Sequence, residues 1–212
     1  MPILSYTQRF WVLSGLLVLM SATRFHHFGS VNFLPDASLA VFFLGGFYLG
    51  KKTAARPVSG FSLTASFITA PVMTIVLLLA AAGAIDYLAI QFGGVSDWCV
   101  TPGYVLLVPA YSVLFLGGEW AARSNPFSKS GTLKTTAILL LAVTLAFLIS
   151  NSGFYFFSGR FQEMDGMQFA ERVSVYYWSY TFYTLLYTGI WLFCHALATR
   201  FLSRQQTGLQ PR

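Results

Sequence analysis

The chain has 212 residues, of which 56% are hydrophobic and only 9% are charged, and its mean hydropathy is +0.63. A soluble domain carries about a quarter of its residues as charged side chains, so a water-soluble enzyme and a disordered chain are both excluded. We expect an all-α, polytopic membrane protein in which residues 1–212 form a single transmembrane domain, because no internal repeat or separate soluble region is visible.

Six membrane-spanning helices are predicted from the long runs without Asp, Glu, Lys or Arg. Crossing the hydrocarbon core takes about 20 apolar residues, and four runs reach that length. The first two runs hold 14 uncharged residues each, so they span only if Arg9, Arg24 and Lys51 snorkel to the headgroups. The longest connection is expected at 153–173. In chain order the expected spans are 8–24, 33–51, 66–92, 103–123, 134–152 and 174–202.

The distribution of basic residues predicts the orientation, since Lys and Arg concentrate in cytoplasmic loops. With the amino terminus inside, 10 of the 13 basic residues are cytoplasmic and only Arg24, Arg160 and Arg172 lie outside. This bias predicts cytoplasmic termini in the inner membrane, and it explains a pI near 9.5 without a nucleic-acid partner. Removing residues 1–23 as a signal peptide would invert the pattern, so we expect a retained first helix.

The two cysteines are predicted to lie near opposite faces of the membrane. Cys99 is in the outer loop between helices three and four, and Cys194 is near the inner end of helix six. Helical rise separates them by roughly 30 Å, which excludes a disulfide. A Cys99 thiolate would be a nucleophile and a soft metal ligand, with a buried small side chain as the alternative. For Cys194 we expect a structural role.

No zinc motif accompanies Cys99. The sequence has neither CxxC nor HExxH, and its histidines are His26, His27 and His195. A metal at Cys99 would therefore arrive already held in an organic macrocycle, such as a tetrapyrrole or a corrin. His26 and His27 follow helix one on the outer side, where a histidine is either an axial metal ligand or an interfacial residue.

Asp86 is an acidic residue well inside a predicted span, one or two turns below the outer end of helix three. Ionisable residues at such depth are costly and usually face a cavity or a partner. We therefore expect Asp86 to accept hydrogen bonds from a ligand, or to pair with Arg172 or the Cys99 thiol. A helix-end acid that reaches the headgroups is the alternative.

An aromatic stripe follows one face of helix six, with members spaced by four, three, four and four residues. It descends about 22 Å at helical rise, which exceeds an interfacial belt and favours a pocket wall with hydroxyl groups for a ligand. Helix packing combined with a belt is the alternative. The members are Tyr176, Tyr180, Tyr183, Tyr187 and Trp191.

Together these features resemble the BtuM-type solitary cobalamin transporters. That family is related to the membrane substrate-binding subunits, or S-components, of energy-coupling factor vitamin importers. The resemblance covers most of the chain and begins with the six-helix layout. It rests further on Asn-Phe-Leu-Pro at 32–35, on Asp86, on the Cys99 loop with Tyr104 five residues later, and on Ser-Asn-Ser-Gly at 150–153.

The resemblance implies an S-component-like bundle with an outward-facing pocket for cobalamin (vitamin B12), bound as the substrate. It implies that the Cys99 thiolate ligates the cobalt and assists reductive decyanation of cyanocobalamin. It also implies that Asp86, Tyr104 and Arg172 line that pocket. The outer histidines and the aromatic stripe described above add His27, Tyr180 and Tyr183 to the candidate binding residues.

Two other functions stay open at this point. One is an S-component for another vitamin, with Cys99 incidental, and the other is a membrane thiol or haem oxidoreductase that uses Cys99 with His26 or His27. Residues 11–23 of helix one lack the paired alanines, four apart, through which S-components typically meet the coupling subunit. That absence agrees with a solitary transporter. The expected partners are cobalamin and the lipid bilayer, and docking to an energy-coupling module stays open.

Overall fold

The structure, a computed structural model, describes residues 4–25, 34–50 and 71–208, with the backbone alone from 201 onward. Within these ranges the chain is helical and has no strand, which confirms the all-α prediction. A 3-10 helix, Pro102–Leu106, leads into the fourth α-helix. The α-helices are α1 (Tyr6–Arg24), α2 (Ser38–Leu49), α3 (Pro71–Phe92), α4 (Leu107–Ala121), α5 (Lys129–Phe157) and α6 (Gly166–Gly208).

Four segments of the described chain are long and apolar enough to cross a membrane. They correspond to the expected spans 66–92, 103–123, 134–152 and 174–202, which supports a membrane protein. The helix α1 does not reach the same length of apolar sequence, and α2 is a shorter apolar helix. The four segments are Pro71–Phe92, Pro102–Ala121, Lys129–Phe157 and Gly166–Arg200.

The connection expected at 153–173 is much shorter in the structure, because α5 runs on to Phe157 and α6 begins at Gly166. The early start of α6 has a local cause in Asp165. Its Oδ1 accepts hydrogen bonds from the backbone N–H groups of Met167 (2.8 Å) and Gln168 (2.9 Å). The Gln168 side chain accepts in return from the Asp165 N–H, at 3.3 Å. This reciprocal capping satisfies amides that a helix start leaves free.

The helix α2 lies at the centre of the bundle, where it contacts α1, α3, α4 and α6. Its 12 residues reach only about 18 Å, which is less than the hydrocarbon thickness of about 30 Å. Close approach of α4 depends on glycines. A Cβ atom added to Gly46 would collide with the Phe115 carbonyl oxygen, and one added to Gly118 would collide with the Phe43 carbonyl oxygen. The two backbones therefore touch directly, as small residues permit in membrane bundles.

Arg9 does not snorkel to the membrane surface, so that expectation is wrong. Its side chain is 2% exposed, and Nη2 donates a hydrogen bond of 2.9 Å to the carbonyl oxygen of Leu49. Leu49 ends α2, so the guanidinium satisfies a carbonyl that the helix end leaves without an intrahelical partner. Lys51 lies outside the described residues.

Candidate functional site

The Cys99 end of the bundle is where α1 and α3 end, α2 begins, and the loop 93–101 connects α3 to the 3-10 helix. Arg24, the last residue of α1, lies at its centre and is only 3% exposed. Its Nε and Nη2 donate to Asp86 Oδ1 and Oδ2, each at 2.7 Å. Asp86 is itself 6% exposed. The two side chains thus form a buried, bidentate ion pair.

This pairing corrects two expectations. Asp86 bonds to Arg24 rather than to Arg172 or to the Cys99 thiol. Arg24 does not snorkel, because its guanidinium points inward among polar acceptors. The helices α1 and α3 run in the same direction, so Arg24 and Asp86 lie near the carboxy-terminal ends of their helices at the same end of the bundle, where pairing costs less than exposing either charge to hydrocarbon.

The remaining nitrogen of Arg24 joins two more helices to the pair. Nη1 donates to the Tyr111 hydroxyl on α4 (2.7 Å), to Ser38 Oγ on α2 (3.0 Å) and to Asp36 Oδ2 (3.4 Å). Asp36 also accepts from Ser38, through the backbone N–H (2.9 Å) and the hydroxyl (2.6 Å). One guanidinium therefore ties four helices together, and we call these residues the Arg24 cluster: Arg24, Asp36, Ser38, Asp86 and Tyr111.

The candidate residues Cys99, Asp86 and Tyr104 meet at one small hollow. The Tyr104 hydroxyl donates to Asp86 Oδ2 at 2.5 Å, so that oxygen is shared between the phenol and Arg24. The hollow has a volume of about 10 Å³, enough for about one water molecule. Its lining consists of Asp86, Ala89, Ile90, Val95, Cys99, Val100 and Tyr104.

The Cys99 thiol is half-buried in a mixed electrostatic environment. Burial raises the pKa of the thiol, and the Asp86 carboxylate raises it further, whereas the Arg160 guanidinium opposes the rise. The guanidinium of Arg160 lies over the indole of Trp98, 3.7 Å from the ring centroid. At neutral pH the resting sulfur is therefore protonated, and thiolate chemistry requires release of that proton.

Three other candidate binding residues do not line the hollow. Arg172 is exposed, and its guanidinium lies 6.0 Å from the Phe161 ring centroid. Tyr180 is 46% exposed and lies within electrostatic range of Asp36 and the Cys99 thiol. Tyr183 is half-buried one turn further along α6. The sixth candidate, His27, and its neighbour at position 26 lie outside the described residues.

The aromatic stripe of α6 does not form one pocket wall. The Tyr187 hydroxyl donates to the Pro35 carbonyl oxygen at 2.8 Å. The Trp191 ring packs so closely on Gly15 of α1 that an added Cβ atom there would collide with it. At the other end of the stripe, Tyr176 is 58% exposed. The stripe therefore divides between interhelical packing and the exposed face of α6.

Both cysteines are free, which agrees with the expectation that they cannot form a disulfide. Cys194 is exposed on α6. The buried face of α6 is set by Thr181, Thr184 and Thr188. Cys194 lies about 100° around the helix from the continuation of that face, which turns its side chain away from the bundle.

Sequence reasoning missed the partners of the candidate residues. Arg24 carried a usable signal, because it ends an apolar run at the same predicted depth as Asp86 and has the opposite charge. Tyr111 and Ser38 had none, since many hydroxyl groups line the predicted helices. Arg160 also had none, because its contact with Trp98 depends on how two loops meet.

The fold and the site define a helical membrane protein with a buried ion-pair cluster beside a half-buried thiol. Among the described residues, no group of three or more His, Cys, Asp or Glu side chains could hold a metal ion. No protein-family model matches the sequence, and no curated protein matches it.

Proposed function

We propose that the protein takes up cobalamin across the cytoplasmic membrane, binding the corrinoid at the Cys99 end and ligating its cobalt through the Cys99 sulfur. The observation that carries this proposal is the hollow at which a half-buried thiol, the Asp86 carboxylate and the Tyr104 hydroxyl meet. A soft axial ligand thus stands beside groups that can bond the amides at the rim of a corrin.

The proposal includes six spans, cytoplasmic termini and a Cys99 end that faces outward. In this arrangement α1 and α2 complete the bundle formed by the four longer spans. The short α2 crosses as a buried helix, because its neighbours shield it from lipid and Arg9 satisfies its terminal carbonyl. The excess of Lys and Arg on the opposite side supports the orientation.

Cobalt suits a site with a single protein ligand. The corrin ring already supplies four nitrogen donors, so one thiolate completes an axial bond without a cage of protein side chains. Cys99 loses its proton on ligation, because the thiolate is the ligating form. With cyanocobalamin, one electron from an external small-molecule thiol reduces cobalt(III) to cobalt(II). The cobalt–carbon bond then breaks, and cyanide leaves with the bonding pair while sulfur donates from the opposite side.

Binding requires the Cys99 end to open. A hollow of about 10 Å³ is far smaller than the pockets of roughly 300–1,000 Å³ that hold drug-sized ligands, and a corrinoid is larger still. On this proposal, the loop 93–101 moves aside to admit the ring. Gly94, at φ 67°, gives that loop a backbone conformation that other residues rarely adopt.

The visible spectrum of protein purified from cells grown with cyanocobalamin tests the proposal. We expect corrin bands that change when Cys99→Ser removes the soft ligand, and that do not change in the matched variant Cys194→Ser. Corrin bands identical in all three proteins would remove the assigned role of the thiol. Haem bands would instead favour an oxidoreductase, and a colourless protein would favour a carrier for another vitamin.

A further inference from the structure

A stacked arginine lies beside the Cys99 loop. The connection between α5 and α6 places the Arg160 guanidinium over the Trp98 indole, 3.7 Å from the ring centroid. This distance is well inside the range of about 6 Å over which a cation is attracted to an aromatic face. Trp98 immediately precedes Cys99 in the chain. The stack therefore fixes a positive charge beside the hollow that Cys99 lines.

The N–H donors of this guanidinium are open to a ligand. Arg160 is exposed, and among the described residues it forms no ion pair with a carboxylate, in contrast to Arg24. Its backbone N–H donates to Ser158 Oγ at 3.2 Å, whereas its side chain donates to none of the described residues. Stacking uses the face of the guanidinium and leaves the donors directed outward in its plane. Such a planar fork matches two oxygens of a phosphate group.

The connection that carries Arg160 is held by its own packing. Gly159, at φ 71°, turns the chain away from the end of α5 in the left-handed region. The Phe161 ring packs edge-to-face on Phe154 of α5, with centroids 5.3 Å apart, and on Phe169 of α6 at 4.9 Å. Because the connection is anchored to both helices, the guanidinium loses little freedom when it binds a ligand, which favours binding.

The charges around Cys99 differ between the interior and the rim of the bundle. The buried Arg24 cluster holds one arginine and two aspartates, a formal charge of −1, whereas Arg160 is an exposed cation. Asp97, the acid of the loop 93–101, is also exposed and does not pair with Arg160. A ligand that suits this arrangement carries positive charge toward the interior and one anionic group at the rim.

We propose that Arg160, stacked on Trp98, is a subsite that binds the phosphodiester of the ligand. The assignment rests on the proposed function, because cobalamin joins its corrin ring to its nucleotide base through one phosphodiester, which carries a single negative charge. With the cobalt at Cys99, this group is the anionic part of the ligand, and the guanidinium donates to two of its oxygens. Arg160 therefore selects corrinoids that keep the nucleotide over those that lack it.

The test compares cyanocobalamin with dicyanocobinamide, a corrinoid that lacks the nucleotide and its phosphodiester. Affinities are measured by titration calorimetry on the whole chain in phosphate-free detergent solution without added lipid. We expect Arg160→Gln to weaken cyanocobalamin binding about fivefold, the effect of a strong solvent-exposed ion pair, and to leave cobinamide binding unchanged. Retained cobinamide binding also shows that the variant is folded. The matched control Arg123→Gln removes an exposed arginine at the opposite end of the bundle and should change neither affinity.

Two further variants separate the planar fork and its platform from charge alone. Arg160→Lys keeps the charge without the fork, so we expect a cyanocobalamin affinity between those of the wild type and Arg160→Gln. Trp98→Leu removes the platform and should weaken cyanocobalamin more than cobinamide. Equal losses for both corrinoids in Arg160→Gln, or no loss for either, would overturn the subsite. A Trp98→Leu variant that discriminates between the two ligands as well as the wild type does would overturn it too.

Phospholipid headgroups offer the same phosphodiester chemistry from the membrane surface, and added phosphatidylglycerol distinguishes the two sources. On the proposal, the wild-type affinity for cyanocobalamin keeps its lipid-free value, because the corrinoid brings its phosphodiester to Arg160 while cobalt binds at Cys99. A fall to the affinity of Arg160→Gln would show that a lipid headgroup occupies the arginine, which would overturn the assignment to the corrinoid.

Failure of the subsite is distinguishable from failure of the proposed function. A protein that binds both corrinoids without distinguishing them through Arg160 loses only the subsite. A protein that binds neither corrinoid loses the proposed function, and the subsite with it.

Discussion

The buried pair of Arg24 and Asp86 predicts a large and specific loss of stability when one partner is removed. Arg24→Gln deletes a guanidinium that is 3% exposed and that donates to Asp86, Tyr111, Ser38 and Asp36. It leaves a buried carboxylate without its cation. Breaking a buried ion pair from one side costs about 3–5 kcal/mol, so we expect a loss of that size in the free energy of unfolding.

The double variant Arg24→Gln with Asp86→Asn separates the charge interaction from general damage to packing. It removes both buried charges and leaves two amides that can bond to each other. Asp36 keeps its two hydrogen bonds from Ser38 and is 18% exposed. We therefore expect the double variant to be more stable than the sum of the single losses implies, by about 2 kcal/mol or more.

Denaturant unfolding in detergent, followed by tryptophan fluorescence, measures these changes. Arg123→Gln is the matched control, because it removes an exposed arginine at the opposite end of the bundle and should cost less than about 0.5 kcal/mol. The reasoning is refuted if Arg24→Gln costs no more than this control, or if the losses of Arg24→Gln and Asp86→Asn simply add in the double variant.

Three more predictions concern the thiol and the helix packing. Cys99→Ser should abolish decyanation while sparing part of the corrinoid binding, and Cys194→Ala should leave uptake unchanged; equal losses in both variants would contradict the assigned roles. Because burial raises the pKa of the Cys99 thiol, its alkylation at pH 7.5 should be slower in the folded protein than in denaturant. For the same reason, the protonated thiol stabilises the folded protein at pH values below the unfolded-state pKa, and this contribution should be lost as pH rises through the raised folded-state pKa. Equal folded and denatured rates would contradict this. Gly46→Ala should lower the unfolding midpoint by forcing α2 and α4 apart. The control Gly83→Ala has nothing within 4 Å of the added carbon, so it should be neutral or slightly stabilising. Similar midpoints for the two variants would argue against the close crossing of α2 and α4.

The helical class and the four longer spans were predictable because the length of an uncharged run directly measures what a bilayer requires. The ends of the helices were less predictable. The early start of α6 depends on Asp165 and Gln168 capping each other. That short polar signal lay within a segment whose charges suggested a loop. Capping residues were therefore more informative here than average polarity.

The partner of Asp86 was not predictable, because pairing depends on how each helix is rotated about its axis. In helices that are apolar on every side, hydrophobic periodicity carries little information about rotation. The Gly45–Gly46 and Gly117–Gly118 pairs were an available clue to the crossing of α2 and α4, since adjacent small residues mark close helix approach. That crossing brings Phe42 and Tyr111 into a parallel stack at 4.2 Å, which directs the tyrosine toward Arg24.

The charge of the Cys99 end bears on which ligand it can accept. The Arg24 cluster holds one arginine and two aspartates that bond to it, so the cluster has a formal charge of −1. Deprotonating Cys99 adds a further negative charge, which Arg160 only balances. An anionic ligand would meet repulsion there at short range and in a partly desolvated site. On the proposed function, the cobalt centre of a corrin carries net positive charge, so it offsets the cluster and favours the thiolate that ligates it.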